Sequence, residues 1–224
     1  MNISDIPKFV INLKRRPDRL EKFQKLIGLQ DIITVYGFDG KNPCSESDFE
    51  KNIFNALPNN LMVGEKGVFI SHLRIYEKII QENIQYAIIF EDDAIFCEDF
   101  DKKLERIIQN MPNNTDILFF GGRFDAEFKM DEGTYLPISE NIVAHKNIRW
   151  EQRNQSSHDR TFHGYIISNN LAKKFLQYFN NRIDIYLPID QWVIKYCMNN
   201  GIQILNTYPL LCYSGLISDS DIRS

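Results

Sequence analysis

The run Tyr86-Ala87-Ile88-Ile89-Phe90 constrains this chain more than any other segment. Consecutive apolar residues without alternation describe a strand buried on both faces, as happens where helices cover both sides of a largely parallel sheet. The rest of the chain supplies alternating strands and helices. Lys8–Leu13 is mostly apolar, and Pro17 suits the first turn of a helix in which Leu20, Phe23 and Ile27 recur until Gly28. Asp31–Tyr36 is rich in β-branched residues and closes at Gly37-Phe38-Asp39-Gly40, so the first forty residues predict β-α-β. Residues 41–64 predict a loop with one short helix around Phe49–Leu57. Gly67–Gln81 carries Phe69, Leu73, Tyr76 and Ile80 at helical spacing.

After the central strand come a helix with Phe100, Leu104, Ile107 and Ile108 on one face and a buried strand, Ile117–Phe120, ending at Gly121-Gly122. Phe162–Ser168 predicts another strand. Two helices follow, one bearing Leu171, Phe175 and Phe179, the other opening at Pro188 with Ile189, Trp192, Val193 and Tyr196, and Ile202–Leu205 closes the series as a strand. Residues 123–161 match no periodic pattern, and the polar stretch His145–Arg160 is long enough to be a lid or binding loop. With 224 residues and no repeat or linker, the expectation is one α/β domain over 1–224.

Composition narrows the function classes. Hydrophobic residues make up 43% and charged residues 25%, as in globular proteins. A net charge of −4 gives no footprint for non-specific nucleic-acid binding. No apolar run spans a bilayer, and Met1–Asp5 has no signal-peptide character. Cysteines 44, 97, 197 and 212 form no C-x-x-C pair, so reduced thiols in a cytoplasmic protein are expected.

The central strand runs straight into Glu91-Asp92-Asp93. In open α/β sheets ligands bind beyond the carboxyl ends of the strands, and adjacent carboxylates repel unless cations or donors lie nearby. A divalent cation with oxygen ligands removes that cost, and Mg²⁺ or Mn²⁺ suits carboxylates that share coordination with a diphosphate. Strand geometry puts Glu91 and Asp93 on one side and Asp92 on the other. The alternative is a helix cap with solvated neighbours. An aspartate-nucleophile phosphatase fits poorly, because the D-x-D-x-T positions are Glu91-Asp92-Asp93-Ala94-Ile95.

Four segments, in order, resemble glycosyltransferase family 25, the lipooligosaccharide galactosyltransferases and their collagen-modifying relatives. They are Val10-Ile11-Asn12-Leu13 with Arg16 and Asp18-Arg19; Gly64-Glu65-Lys66-Gly67 with Ser71-His72-Leu73-Arg74; Ile89-Phe90-Glu91-Asp92-Asp93; and Gly164–Ser168 followed by Pro188-Ile189-Asp190. The resemblance implies a GT-A-like nucleotide-sugar fold, with a mixed, mostly parallel sheet flanked by helices. It also implies a UDP-sugar donor (usually UDP-galactose), a divalent metal (Mn²⁺ before Mg²⁺) and inversion at the anomeric carbon. The donor half would be about 1–122 and the acceptor half about 123–224. A lipid-linked acceptor would bring the protein to the cytoplasmic face of the membrane, although the sequence shows no basic amphipathic helix for that contact.

On that resemblance, Asp93 is the first choice of metal ligand, and Glu91 and Asp92 share between metal and ribose. Asn12, Arg16 and Arg19 would meet uracil, ribose or diphosphate; each arginine has a solvated helix face as its alternative. Asp39 is a further donor-site candidate or a simple turn residue. Asp190, in the first turn of its helix, is the candidate general base; complementing the helix dipole is its other reading. Glu65 is the second candidate base. His72 lies among Val68, Ile75 and Ile79 and reads as a hydrogen-bonded core residue. His163, Asp219 and Asp221 compete for the remaining metal position. The competing classes are a non-catalytic nucleotide-sugar-fold binding protein and a metal-dependent phosphohydrolase.

Overall fold

The computed structural model describes residues 1–122, 135–145, 161–181 and 186–214. Strand β1 (Lys8–Asn12), helix α1 (Pro17–Leu26) and strand β2 (Ile32–Tyr36) open the chain as the expected β-α-β unit. Helices α2 (Asp48–Ala56) and α3 (Val63–Gln81) lead into β3 (Tyr86–Glu91), the hairpin strand β4 (Ala94–Phe96), α4 (Phe100–Asn110), β5 (Ile117–Phe119) and β6 (Gly121–Gly122). Strands β7 (Tyr135–Ser139), β8 (Ile142–His145) and β9 (Gly164–Ser168) precede α5 (Asn169–Asn181), α6 (Ile189–Asn199), β10 (Ile204–Thr207) and β11 (Cys212–Ser214).

Among the described residues the main sheet has eight strands in the order β2-β1-β3-β9-β5-β10-β8-β7, and β4-β11-β6 form a smaller sheet. Strands β1, β2 and β3 run parallel, as do β5 and β10, whereas β9 is antiparallel to both β3 and β5. This is the mixed α/β sheet flanked by helices that the sequence predicts. Because β9 sits between β3 and β5, the chain before residue 122 and the chain after residue 161 share one sheet.

Two apolar cores cover the sheet, one on each face, which explains the uninterrupted run in β3. Ala87 and Ile89 face a core built with α3, α5 and α6, and Tyr86, Ile88 and Phe90 face one built with α1 and α4. Strand β9 divides in the same way, with Tyr165 and Ile167 on the α3 face and Ile166 on the α1 face.

Helix α3 begins four residues before the expected Gly67, because Glu65 accepts the Met62 backbone N–H at 2.8 Å and caps an extra turn. Gly67 lets that turn approach the loop after β2: a Cβ there would lie 2.8 Å from the Phe38 carbonyl oxygen. Strands β4, β6, β7, β8 and β11 are absent from the sequence expectations. The antiparallel β7–β8 pair falls in the segment without periodicity, and Pro137 is tolerated in β7 because that strand is an edge. The candidate lid, apart from His145 at the end of β8, lies outside the described residues.

Gly164 pairs with Phe90 at the start of β9, and a Cβ there would come within 2.3 Å of the Phe120 ring and 2.7 Å of Cys212 Sγ. Those neighbours are themselves fully buried. Gly164→Ala is therefore expected to destabilise the protein by about 1–3 kcal/mol, read as a lowered thermal midpoint. An unchanged midpoint would show that the Phe120 ring moves aside freely.

Candidate active site

Sheet parity assembles the site. Ile11 pairs with Glu91 across β1 and β3, so Asn12, the last residue of β1, meets Asp92 just beyond β3. Glu91 follows Ile89 onto the α3 face, while Asp92 follows Phe90 onto the α1 face. On β9, Ile89 pairs with Tyr165 and Phe90 with Gly164, which puts His163 level with Glu91.

Asp92 turns inward. Its Oδ2 accepts from Asn12 Nδ2 at 2.7 Å, and its Oδ1 lies 3.0 Å from Arg19 Nη1. Asn12 also donates to the Arg16 carbonyl at 2.8 Å, holding the turn into α1 so that Arg19 faces the carboxylates. Burial pushes Asp92 up to about 7, against the opposing pull of Arg19 and the Asn12 hydrogen bond. Arg19 Nη2 reaches Asp93 Oδ2 at 2.9 Å, so one guanidinium holds two adjacent carboxylates.

Glu91 and Asp93 converge on His163. Its Nε2 is 3.5 Å from Glu91 Oε2 and 3.5 Å from Asp93 Oδ1. The candidate ligand atoms of these three residues all lie within 4.8 Å of one another. Asp93 Oδ1 is buried and has no hydrogen-bond partner among the described residues. His163 Nδ1 is 2.7 Å from Thr161 Oγ1; with Nδ1–H donating there, Nε2 keeps its lone pair for a cation. Two carboxylate oxygens and one imidazole nitrogen form a donor set that could hold a divalent cation. On the other side of Glu91, His72 Nε2 lies 3.5 Å from Oε1. Burial raises the Glu91 carboxyl, but His163, then His72 and Arg19, outweigh it and hold it below the usual carboxylate range. Complete burial lowers the His72 pKa, which favours the neutral ring, and its Nε2 has no hydrogen-bond partner among the described residues.

A cleft opens beside this cluster. Ile11, Leu13, Phe38 and Val68 give it an apolar wall, and Arg15, Arg19 and Lys41 give it cations next to Glu91, Asp92 and Asp93. Asp39 lines the cleft and pairs with Arg15 at 2.9 Å. The Asp39 loop is pinned from α3: Ser71 Oγ accepts from the Phe38 N–H at 2.9 Å, and Arg74 grips Glu46, Glu50 and the Tyr36 carbonyl.

The structure therefore brings together Asn12, Arg19, Asp39, Glu91, Asp92 and Asp93, with Asn12 behind Asp92 rather than in the cleft wall. Arg16 is directed to Asp18 at 3.0 Å, outside the cleft lining, and Arg15 stands in the cleft instead. Glu65 caps α3, and Asp190 opens α6 with its Oδ1 accepting the Gln191 N–H at 2.7 Å. Neither is among the residues that line the cleft. Of the three residues competing for the last metal position, His163 joins the cluster; Asp219 and Asp221 lie outside the described residues. Sequence reasoning missed Arg15 and Lys41, which only the fold of the loops after β1 and β2 brings to one cleft.

The model of glycosyltransferase family 25 (LPS biosynthesis protein) matches residues 5–193. The chain belongs to glycosyltransferase family 25. Human procollagen galactosyltransferase 2 is 25% identical over 95% of this chain and 37% of its own length. A glycosyltransferase 25 family member of Drosophila melanogaster is 26% identical over 95% of this chain and 37% of its own. The lipooligosaccharide biosynthesis protein lic2B of Haemophilus influenzae is 39% identical over 43% of this chain and 36% of its own. This family 25 chain thus spans well under half the length of these curated relatives. A solved CMP:2-keto-3-deoxy-manno-octonic acid synthetase complexed with CTP overlays at a TM-score of 0.40 with 11% identity, covering 92% of each chain, a likeness too slight to carry an argument.

Proposed function

We propose that this family 25 protein is a metal-dependent, inverting glycosyltransferase. It moves a hexose, galactose first, from a UDP-sugar to an oligosaccharide acceptor. The observation that carries this reading is the convergence of Glu91, Asp93 and His163 beside a cleft lined by Arg15, Arg19 and Lys41. The names of the relatives, a procollagen galactosyltransferase and a lipooligosaccharide biosynthesis protein, support galactose as the sugar and an oligosaccharide as the acceptor.

Glu91, Asp93 and His163 would hold Mn²⁺ or Mg²⁺, which when bound neutralises the charge that develops on a departing UDP. The chain's own residues do the rest. Arg15 and Lys41 stand where a diphosphate's remaining charge would fall, and the apolar wall of Ile11, Leu13, Phe38 and Val68 suits a flat base. Arg19 fixes Asp92 and Asp93 so that Asp93 turns its Oδ1 toward His163. Asp190 is the proposed base for the acceptor hydroxyl. Asn60 Nδ2 donates to the Tyr186 carbonyl at 2.9 Å, tying the segment before α6 to the loop before α3, and Gly64 of α3 lines the cleft. Glu65 is the second candidate base; its carboxylate, like that of Asp190, already accepts one backbone N–H. A lipid-linked acceptor would bring the protein to the cytoplasmic membrane face; among the described residues no helix is long and apolar enough to cross a membrane.

The test is UDP release from a panel of UDP-sugars, with Mn²⁺ or with EDTA. Slow release from one donor, abolished by EDTA, is the expected result. Absence of UDP release together with absence of metal-dependent UDP binding in calorimetry would overturn the transferase reading in favour of a binding protein.

A further inference from the structure

Three polar groups lie in the core beneath Glu91, and the mechanism above uses none of them. Tyr76, Tyr165 and His72 are each 0% exposed. The Tyr76 and Tyr165 hydroxyls are 3.1 Å apart, and the Tyr165 hydroxyl lies 2.8 Å from His72 Nδ1. The other ring nitrogen, His72 Nε2, is buried with no hydrogen-bond partner among the described residues; Glu91 Oε1 is 3.5 Å away. The groups come from α3 and β9, and they surround β3 from the face on which Glu91 emerges.

The carboxylate fixes the direction of this chain. Were His72 Nδ1 to donate to Tyr165 from a neutral ring, Nε2 would present a bare lone pair to the Glu91 carboxylate from a fully buried position, an arrangement both repulsive and unsatisfied. With Tyr76 donating to Tyr165 and Tyr165 donating to Nδ1, every hydroxyl proton is used and the Nε2–H faces Glu91. With a cation bound, the two imidazoles beside Glu91 would have opposite polarity, His163 offering a lone pair and His72 a proton. The closest approach of Nε2 is longer than a normal hydrogen bond, so a small rotation of the Glu91 carboxylate completes it.

We infer that His72, held in one tautomer by the Tyr76–Tyr165 pair, is a positioning residue that orients the Glu91 carboxylate for cation binding through a hydrogen bond from Nε2. This inference rests on the metal reading above. Outer groups that orient a ligand typically change metal affinity by about 10–100-fold when removed.

The experiment measures uptake of Mn²⁺ alone by the full chain, from the electron paramagnetic resonance of free Mn²⁺, with thermal melts in EDTA as a control on folding. His72→Leu removes the donor and is expected to weaken Mn²⁺ binding by about 10–100-fold. His72→Gln places an amide N–H near the position of Nε2 and is expected to recover most of that loss. Tyr165→Phe leaves Glu91 and His72 in place but frees the tautomer, and is expected to weaken binding about 3–10-fold. If His72→Leu does not fold, His72→Gln and Tyr165→Phe decide: binding by Tyr165→Phe equal to the wild type overturns the relay. Equal weakening in His72→Gln and His72→Leu also overturns it, since packing rather than a donor would then matter. Wild-type protein that takes up no Mn²⁺ overturns the metal reading and this inference together. Wild-type uptake with unaffected variants overturns this inference alone.

Discussion

Asp93→Asn is expected to lower UDP-sugar turnover by at least about 10²–10³-fold, while leaving the melting temperature in EDTA unchanged or raised. The activity loss follows from Asp93 Oδ1, a buried acceptor without a hydrogen-bond partner among the described residues, which faces His163 and Glu91. Removing its charge takes away one of the anionic ligands on which stabilisation of the departing diphosphate would depend. The stability result follows from the same cluster. Glu91, Asp92 and Asp93 crowd like charges together, and an asparagine of the same shape relieves that repulsion while still accepting from Arg19. The pairing of lost activity with retained stability separates a ligand from a structural carboxylate. Kinetics with EDTA-treated and Mn²⁺-reconstituted protein, beside melts of the same samples, reads both.

Arg19→Ala is expected to have the largest effect on stability. Arg19 is buried and contacts Asp92 and Asp93, and removing one partner of a buried ion pair costs about 3–5 kcal/mol when the remaining charge stays ionised. Asp92 makes that cost depend on pH. Its carboxyl is raised to about 7 in the fold, above its ordinary value, so between about pH 4 and 7 the folded state holds a proton that the unfolded state has released. The contribution of Asp92 is therefore fully present at low pH and is lost as pH rises through that window. Without Arg19 the folded pKa climbs further and the loss continues beyond pH 7. Melts in EDTA should show the smallest gap between Arg19→Ala and wild type near pH 5.5 and the widest above pH 8. A gap that does not change with pH would show that Arg19 contributes packing alone.

What the sequence disclosed, and what it hid, follows the range of the interactions involved. Strand β3 was legible because both of its faces are buried, and a continuous apolar run says so directly. The separation of Glu91 and Asp93 from Asp92 was legible because side chains alternate along a strand, and the structure sends Asp92 to Asn12 and Arg19 while the other two meet His163. The place of His163 was open, since it depends on β9 inserting antiparallel beside β3, a pairing between segments more than seventy residues apart. The choice between Arg15 and Arg16 turned on one residue of phase at the start of α1, where Arg16 takes the N-cap and points to Asp18. Strand β7 was hidden by Pro137, which reads as a break until the strand is known to lie at the sheet edge. His72 was legible as a core histidine, and the structure buries it completely; its place between Tyr165 and Glu91 needed the register of β3 against β9.

The most direct test of the central claim is an anomalous difference map from crystals of the protein grown with Mn²⁺ and UDP. The account predicts one Mn²⁺ peak within bonding distance of Glu91, Asp93 and His163, with the UDP diphosphate on its open side toward Arg15 and Lys41. Bound UDP with no anomalous peak at these three residues, or a peak held by other side chains, would contradict it.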